Sequence, residues 1–130
     1  MIKLYFISLL VFLGIDSIWL LFIAKSFYAQ KLGYLMAKNP NLIAALIFYL
    51  LFVVGLVVFV LTPALKNNSL SQAIMLGALF GLISYATYDL TNLATIRDWP
   101  LIITIIDMIW GTTLSALVSG ITYSIVKWLG

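Results

Sequence analysis

The residues able to do chemistry in this chain are few, and the acidic ones are all aspartates. Asp16, Asp89, Asp98 and Asp107 are its only carboxylate side chains. Cysteine and histidine are absent, which removes thiolate chemistry, disulfides, the usual zinc sites, imidazole acid–base catalysis and histidine-ligated haem. Carboxylate, carboxamide, hydroxyl and phenol remain. They concentrate in Tyr85-Ala86-Thr87-Tyr88-Asp89-Leu90-Thr91-Asn92, at the end of a strongly apolar stretch. In hydrocarbon each such group is costly unless it meets a partner, so a cluster of them is read first as a functional site. Proton binding, cation binding, and recognition of a cationic or polyhydroxylated ligand are the chemistries open to it.

The elements that must position these groups are membrane helices. Of 130 residues, 65% are hydrophobic and 8% charged, with a mean hydropathy of +1.19, whereas a soluble domain has about 25% charged residues. The expected fold is all-α, an integral-membrane four-helix bundle making one domain over residues 1–130. Its helices run roughly over 4–24, 42–61, 70–93 and 101–127, with an interfacial segment over 26–38. Each run has about the 20 residues that cross a hydrocarbon core of about 30 Å. The first run is too long, and too interrupted by Asp16, to read as a signal peptide. The net charge of +3 is spread over interfacial lysines, which speaks against a nucleic-acid partner.

Local signals divide the chain. Asn39-Pro40-Asn41 supplies a cap and a first-turn proline for the second helix, and Pro63 closes it. Ser69 with Gln72 makes a capping-box pattern for the third. The second helix has almost no polar side chain beyond Tyr49 and reads as a packing and lipid-facing element. On the third, Ala73, Gly77, Gly81, Tyr85 and Asp89 follow at four-residue steps. Small residues in such a stripe admit a second helix, and Gly77 and Gly81 are the expected contact of a homo-oligomer. Thr104, Asp107, Gly111 and Ser115 share a face of the fourth helix. Ile15-Asp16-Ser17-Ile18-Trp19 and Ile106-Asp107-Met108-Ile109-Trp110 share a D-x-x-W pattern on helices of opposite direction, as an inverted repeat would.

Depth brings the aspartates together. Counted from the helix ends on the side of the first loop, Asp16 lies about 12 Å deep, Asp89 about 6 Å and Asp107 about 9 Å. All three fall in one half of the bilayer, where Trp19, Tyr85, Tyr88, Asn92, Thr104 and Trp110 can join them. Carboxylates so placed cannot all stay ionised without compensation, and their titrations couple. The expected ligand-binding residues are Asp16, Trp19, Tyr85, Asp89, Asn92, Asp107 and Trp110; no metal site and no cofactor is expected. Lysine and arginine counts on the two sides are nearly equal, so the positive-inside rule leaves orientation open.

Tyr88-Asp89-Leu90-Thr91-Asn92-Leu93-Ala94-Thr95, then Trp99-Pro100, Asp107 and Trp110-Gly111, together with Phe48-Tyr49 and Pro63-Ala64, carry a resemblance. The chain resembles the small bacterial membrane proteins grouped as domain of unknown function two-one-seven-seven. The resemblance implies a multi-pass protein of the bacterial inner membrane with four helices, and it implies no activity. Asp89, Asn92, Thr95, Asp107 and Trp110 match its motif positions.

Three functions compete. The favoured one is proton- or cation-linked transport or permeation of a small molecule, with Asp16 and Asp107 binding the ion or proton. A membrane-embedded enzyme acting on a lipid or isoprenoid would use two aspartates as acid and base; an enzyme is the less favoured reading. A non-catalytic lipid-binding or assembly subunit would use the glycine stripe as its partner surface. No glycine-rich phosphate loop and no mid-membrane lysine is present, which excludes nucleotide loops and retinal-type Schiff bases.

Overall fold

The computed structural model describes residues 2–36 and 41–130, the Ile23 side chain excepted. Helix α1 (Ile2–Ile18) runs through a π-helical turn, Trp19–Ala24, into α2 (Lys25–Leu32). Helix α3 (Leu42–Leu56) runs through a second π turn, Val57–Leu61, into α4 (Thr62–Lys66). Helices α5 (Leu70–Thr95) and α6 (Leu101–Leu129) complete four stretches long and apolar enough to span a membrane.

The helix starts follow their capping chemistry. Asn41 accepts a hydrogen bond from the Ala44 N–H at 3.1 Å, and Ser69 accepts one from the Gln72 N–H at 3.0 Å; each pairs a backbone donor that the first turn leaves free. Asn39 and Pro40 lie outside the described residues. Pro63 does not end the second span, which runs on to Lys66. A proline ring clashes with the carbonyl four residues back. The preceding π turn, in which the Thr62 N–H reaches the Val57 carbonyl, changes that spacing and lets the rod continue.

The interior is more polar than the outer face. Ser8, Asp16, Asp89, Thr104, Asp107, Ser115, Ser119 and Thr122 are buried, while Ile2, Phe22, Ile43, Leu51, Phe59 and Ile109 face outward. This is the distribution expected where lipid surrounds the bundle and polar groups find partners only inside it. Phe12 anchors the apolar part of the core, with its ring centroid 5.4 Å from Tyr49 and 5.3 Å from Phe52. Val53, Leu56, Leu61, Leu114 and Val118 fill the rest.

The tightest packing is between α5 and α6. A Cβ on Gly81 would stand 2.1 Å from the Gly111 carbonyl oxygen, and one on Gly77 would stand 2.5 Å from Ser119 Oγ. The small-residue stripe therefore receives α6 of the same chain, which corrects the expectation that Gly77 and Gly81 form a contact between copies. The five residues joining α5 and α6 are too few for any arrangement but an antiparallel hairpin, so the hairpin partner covers the stripe. Helix α1 packs on α3 and α6, and the second span also meets α5, which closes the bundle.

Candidate functional site

All four spans contribute to a cleft of about 460 Å³ lined by Asp16, Trp19, Tyr28, Tyr49, Tyr85, Tyr88, Asp107 and Trp110, with Leu20, Ala45, Phe48 and Ser84. Asp16 and Trp19 are three residues apart, as are Asp107 and Trp110, so each pair shares one helix face. Because α1 and α6 are antiparallel, the two faces meet with opposite polarity. Trp19 and Trp110 stack with centroids 4.4 Å apart and planes 10° from parallel. The D-x-x-W echo in the sequence is thus a spatial pairing across the cleft. Asp16 lies beside the Trp110 indole and the Tyr49 hydroxyl, while the Tyr28 hydroxyl donates to Asp107 Oδ1.

Asp16 and Asp107 are each 7% exposed. Both are walls of the cleft, and no lysine or arginine is. Tyr85 is held over Gly111, where a Cβ would stand 2.2 Å from its ring. Only a glycine admits that ring, so Gly111 fixes where Tyr85 stands.

Asp89 and Asn92 are placed differently. Asp89 is fully buried, with neither carboxylate oxygen hydrogen-bonded, and it is not a wall of the cleft. Its backbone carbonyl accepts from Thr104 Oγ1 at 3.2 Å, and Thr104 Oγ1 accepts from the Trp99 indole at 3.1 Å. Thr104 therefore ties the end of α5 to the start of α6 and does not join the cleft aspartates. Trp99 is buried by this contact. Asn92 is half-buried beside Tyr88 and is likewise outside the cleft. Depth puts the three aspartates in one layer, but helix rotation brings only Asp16 and Asp107 into one cavity.

The match of a family model decides the relationship: residues 1–124 fit the model described as predicted membrane protein (DUF2177). The chain belongs to the DUF2177 family. No curated protein and no solved structure matches it. In this DUF2177 protein the motif positions divide between two places. Asp107 and Trp110 belong to the cleft, whereas Asp89 lies in the contact between α5 and α6.

Six lining residues escape a reading by charge and depth: Leu20, Tyr28, Ala45, Phe48, Tyr49 and Ser84. Tyr49 carried a signal, being almost the only polar side chain on an otherwise apolar helix. Tyr28 carried none, because its reach depends on the course of the chain after the π turn. Among the described residues no group of three or more Asp, Glu, His or Cys gathers as a metal cage. The cleft offers two carboxylates in an aromatic enclosure, a setting that can hold a positive charge or exchange a proton.

Proposed function

We propose that this DUF2177 protein is a proton- or cation-linked carrier of small molecules, acting in the inner membrane of a bacterium as the family resemblance implies. The observation that supports this reading is the placement of Asp16 and Asp107 as walls of one cleft built by all four spans. Ionisable groups inside a bilayer mark ion and substrate paths, because their insertion cost persists only where they are used or partnered. A volume of about 460 Å³ lies within the range of small-molecule pockets, roughly 300 to 1,000 Å³.

Neutralisation of the carboxylates by an entering cation or proton would lower the cost of crossing for both partners. Tyr28 holds Asp107 by a hydrogen bond from outside the first span, so it is placed to be displaced when a ligand claims that carboxylate. The experiment is uptake into proteoliposomes. Vesicles under an imposed proton or sodium gradient are offered a mixed pool of small metabolites, and their contents are measured by mass spectrometry. Wild-type vesicles are expected to accumulate at least one species that Asp16→Asn and Asp107→Asn vesicles do not; identical contents in wild-type, variant and empty vesicles would falsify the carrier reading.

A further inference from the structure

The walls of the cleft say more than that a positive charge fits. Seven of the twelve lining residues are aromatic: Trp19, Tyr28, Phe48, Tyr49, Tyr85, Tyr88 and Trp110. Bare metal cations demand many oxygen ligands at once, about six or more for calcium, and the two carboxylates here do not supply that shell. Aromatic faces and edges instead favour cations whose charge is spread over methyl or methylene groups, the setting in which ammonium ligands are recognised. The cavity also has room for a body as well as a charge, since a single water takes up about 30 Å³ in the liquid.

Resting on the cation-binding reading above, we infer that the cleft takes a monovalent organic cation, an amine or quaternary ammonium with an apolar body. Its charge sits between Asp16 and Asp107, and its body lies against the Trp19–Trp110 pair, Tyr49 and Tyr85. Three features of the cleft meet in this assignment. The absence of lysine and arginine from the walls leaves the carboxylates without an internal counter-charge. The Trp110 indole lies beside Asp16, so an aromatic ring and a carboxylate reach one ligand from the same wall. The stacked tryptophans join the first span to α6, so a ligand seated on them is sensed by both aspartate-bearing spans.

The test uses the full chain in phosphatidylglycerol nanodiscs, titrated with benzyltrimethylammonium and followed by thermal stability and tryptophan fluorescence. Its neutral carbon isostere neopentylbenzene, sodium and potassium are titrated in parallel, with empty nanodiscs as the blank. Saturable binding of the ammonium and not of the isostere is expected, weakened about tenfold or more by Asp16→Asn, Asp107→Asn and Trp110→Leu. The contrast between ammonium and isostere is read on the wild-type protein, so a variant that fails to fold does not decide the matter.

Equal binding of the isostere overturns the inference, leaving an apolar cavity. Aspartate-dependent stabilisation by sodium or potassium without ammonium binding overturns it too, yet leaves the cation-linked carrier standing. No effect of any cation removes the organic-cation site and the cation-linked form of the carrier, and leaves the proton-linked form to the uptake experiment. A second titration in bilayers containing phosphatidylethanolamine identifies the source of the ammonium group: competition by that lipid assigns a headgroup, and an unchanged titration assigns a free organic cation.

Discussion

At the scale of single residues, the three intramembrane aspartates live in three environments. Asp107 is held by the Tyr28 hydroxyl, Asp16 lies among Trp110 and Tyr49, and Asp89 has no hydrogen bond to either oxygen. A buried carboxylate without partners is costly, and replacing buried ionic groups by apolar ones of similar size is often neutral or stabilising by about 1–4 kcal/mol. Asp89→Leu is therefore expected to leave the protein as stable or more stable in thermal unfolding. A clear loss of stability would show that the carboxylate makes an essential contact in the membrane. Tyr28→Phe works in the opposite direction, because it strips the donor from a buried acceptor. A cost of about 1–3 kcal/mol is expected, read as a shift in the equilibrium unfolding curve; an unchanged curve would remove Tyr28 from the support of Asp107.

At the scale of elements, the contact between α5 and α6 rests on backbone proximity. Gly81 faces the Gly111 carbonyl across a gap that no Cβ fits, so Gly81→Ala forces the helices apart. Overpacking of this kind costs about 1–3 kcal/mol. Gly14 is the control, since a Cβ there meets nothing within 4 Å, and Gly14→Ala is expected to gain roughly 0.5–1 kcal/mol from helix propensity. Unfolding midpoints of the two variants, compared side by side, check both; a Gly81→Ala protein as stable as wild type would contradict the close approach. The two π turns act at this scale as well. They allow Trp19–Ala24 and Val57–Leu61 to change the helical phase without breaking the rod, one leading to Tyr28 and the other to Pro63.

For the whole molecule, the four stretches among the described residues that are long and apolar enough to cross a membrane would, if each crosses, put Ile2 and Gly130 on one side. Lys3 and Asn67 are exposed at that side, and Ala29 and Arg97 are exposed at the other. The sequence has no cysteine, so single cysteines placed at these four positions report topology without background. An impermeant thiol reagent applied to one face of oriented vesicles is expected to label Lys3→Cys and Asn67→Cys together, and Ala29→Cys and Arg97→Cys only from the opposite face. Any other grouping would mean a different number of crossings. The same experiment settles the orientation that nearly balanced lysines left open.

The class of the protein was legible in the sequence because the cost of burying charge and the gain from burying hydrocarbon accumulate along the chain: four long apolar runs dictate four spans. The Ser69 cap was legible for the same local reason, since its partner lies three residues away; at the second helix Asn39-Pro40-Asn41 marked the start, and the structure shows Asn41 as the residue that caps it. Depth was legible too, being a count of residues along an axis. Azimuth was not. Which face of a helix looks inward depends on what packs against it, and here Gly81 against Gly111 and the Tyr85 ring over Gly111 set the rotation. That rotation turns Asp107 into the cleft and leaves Asp89 in the contact between α5 and α6. A π turn shifts the helical phase by about 100°, one residue of a 3.6-residue period, so a constant period does not carry across it. Tyr28 lies beyond such a turn, and only the tertiary structure brings it to Asp107.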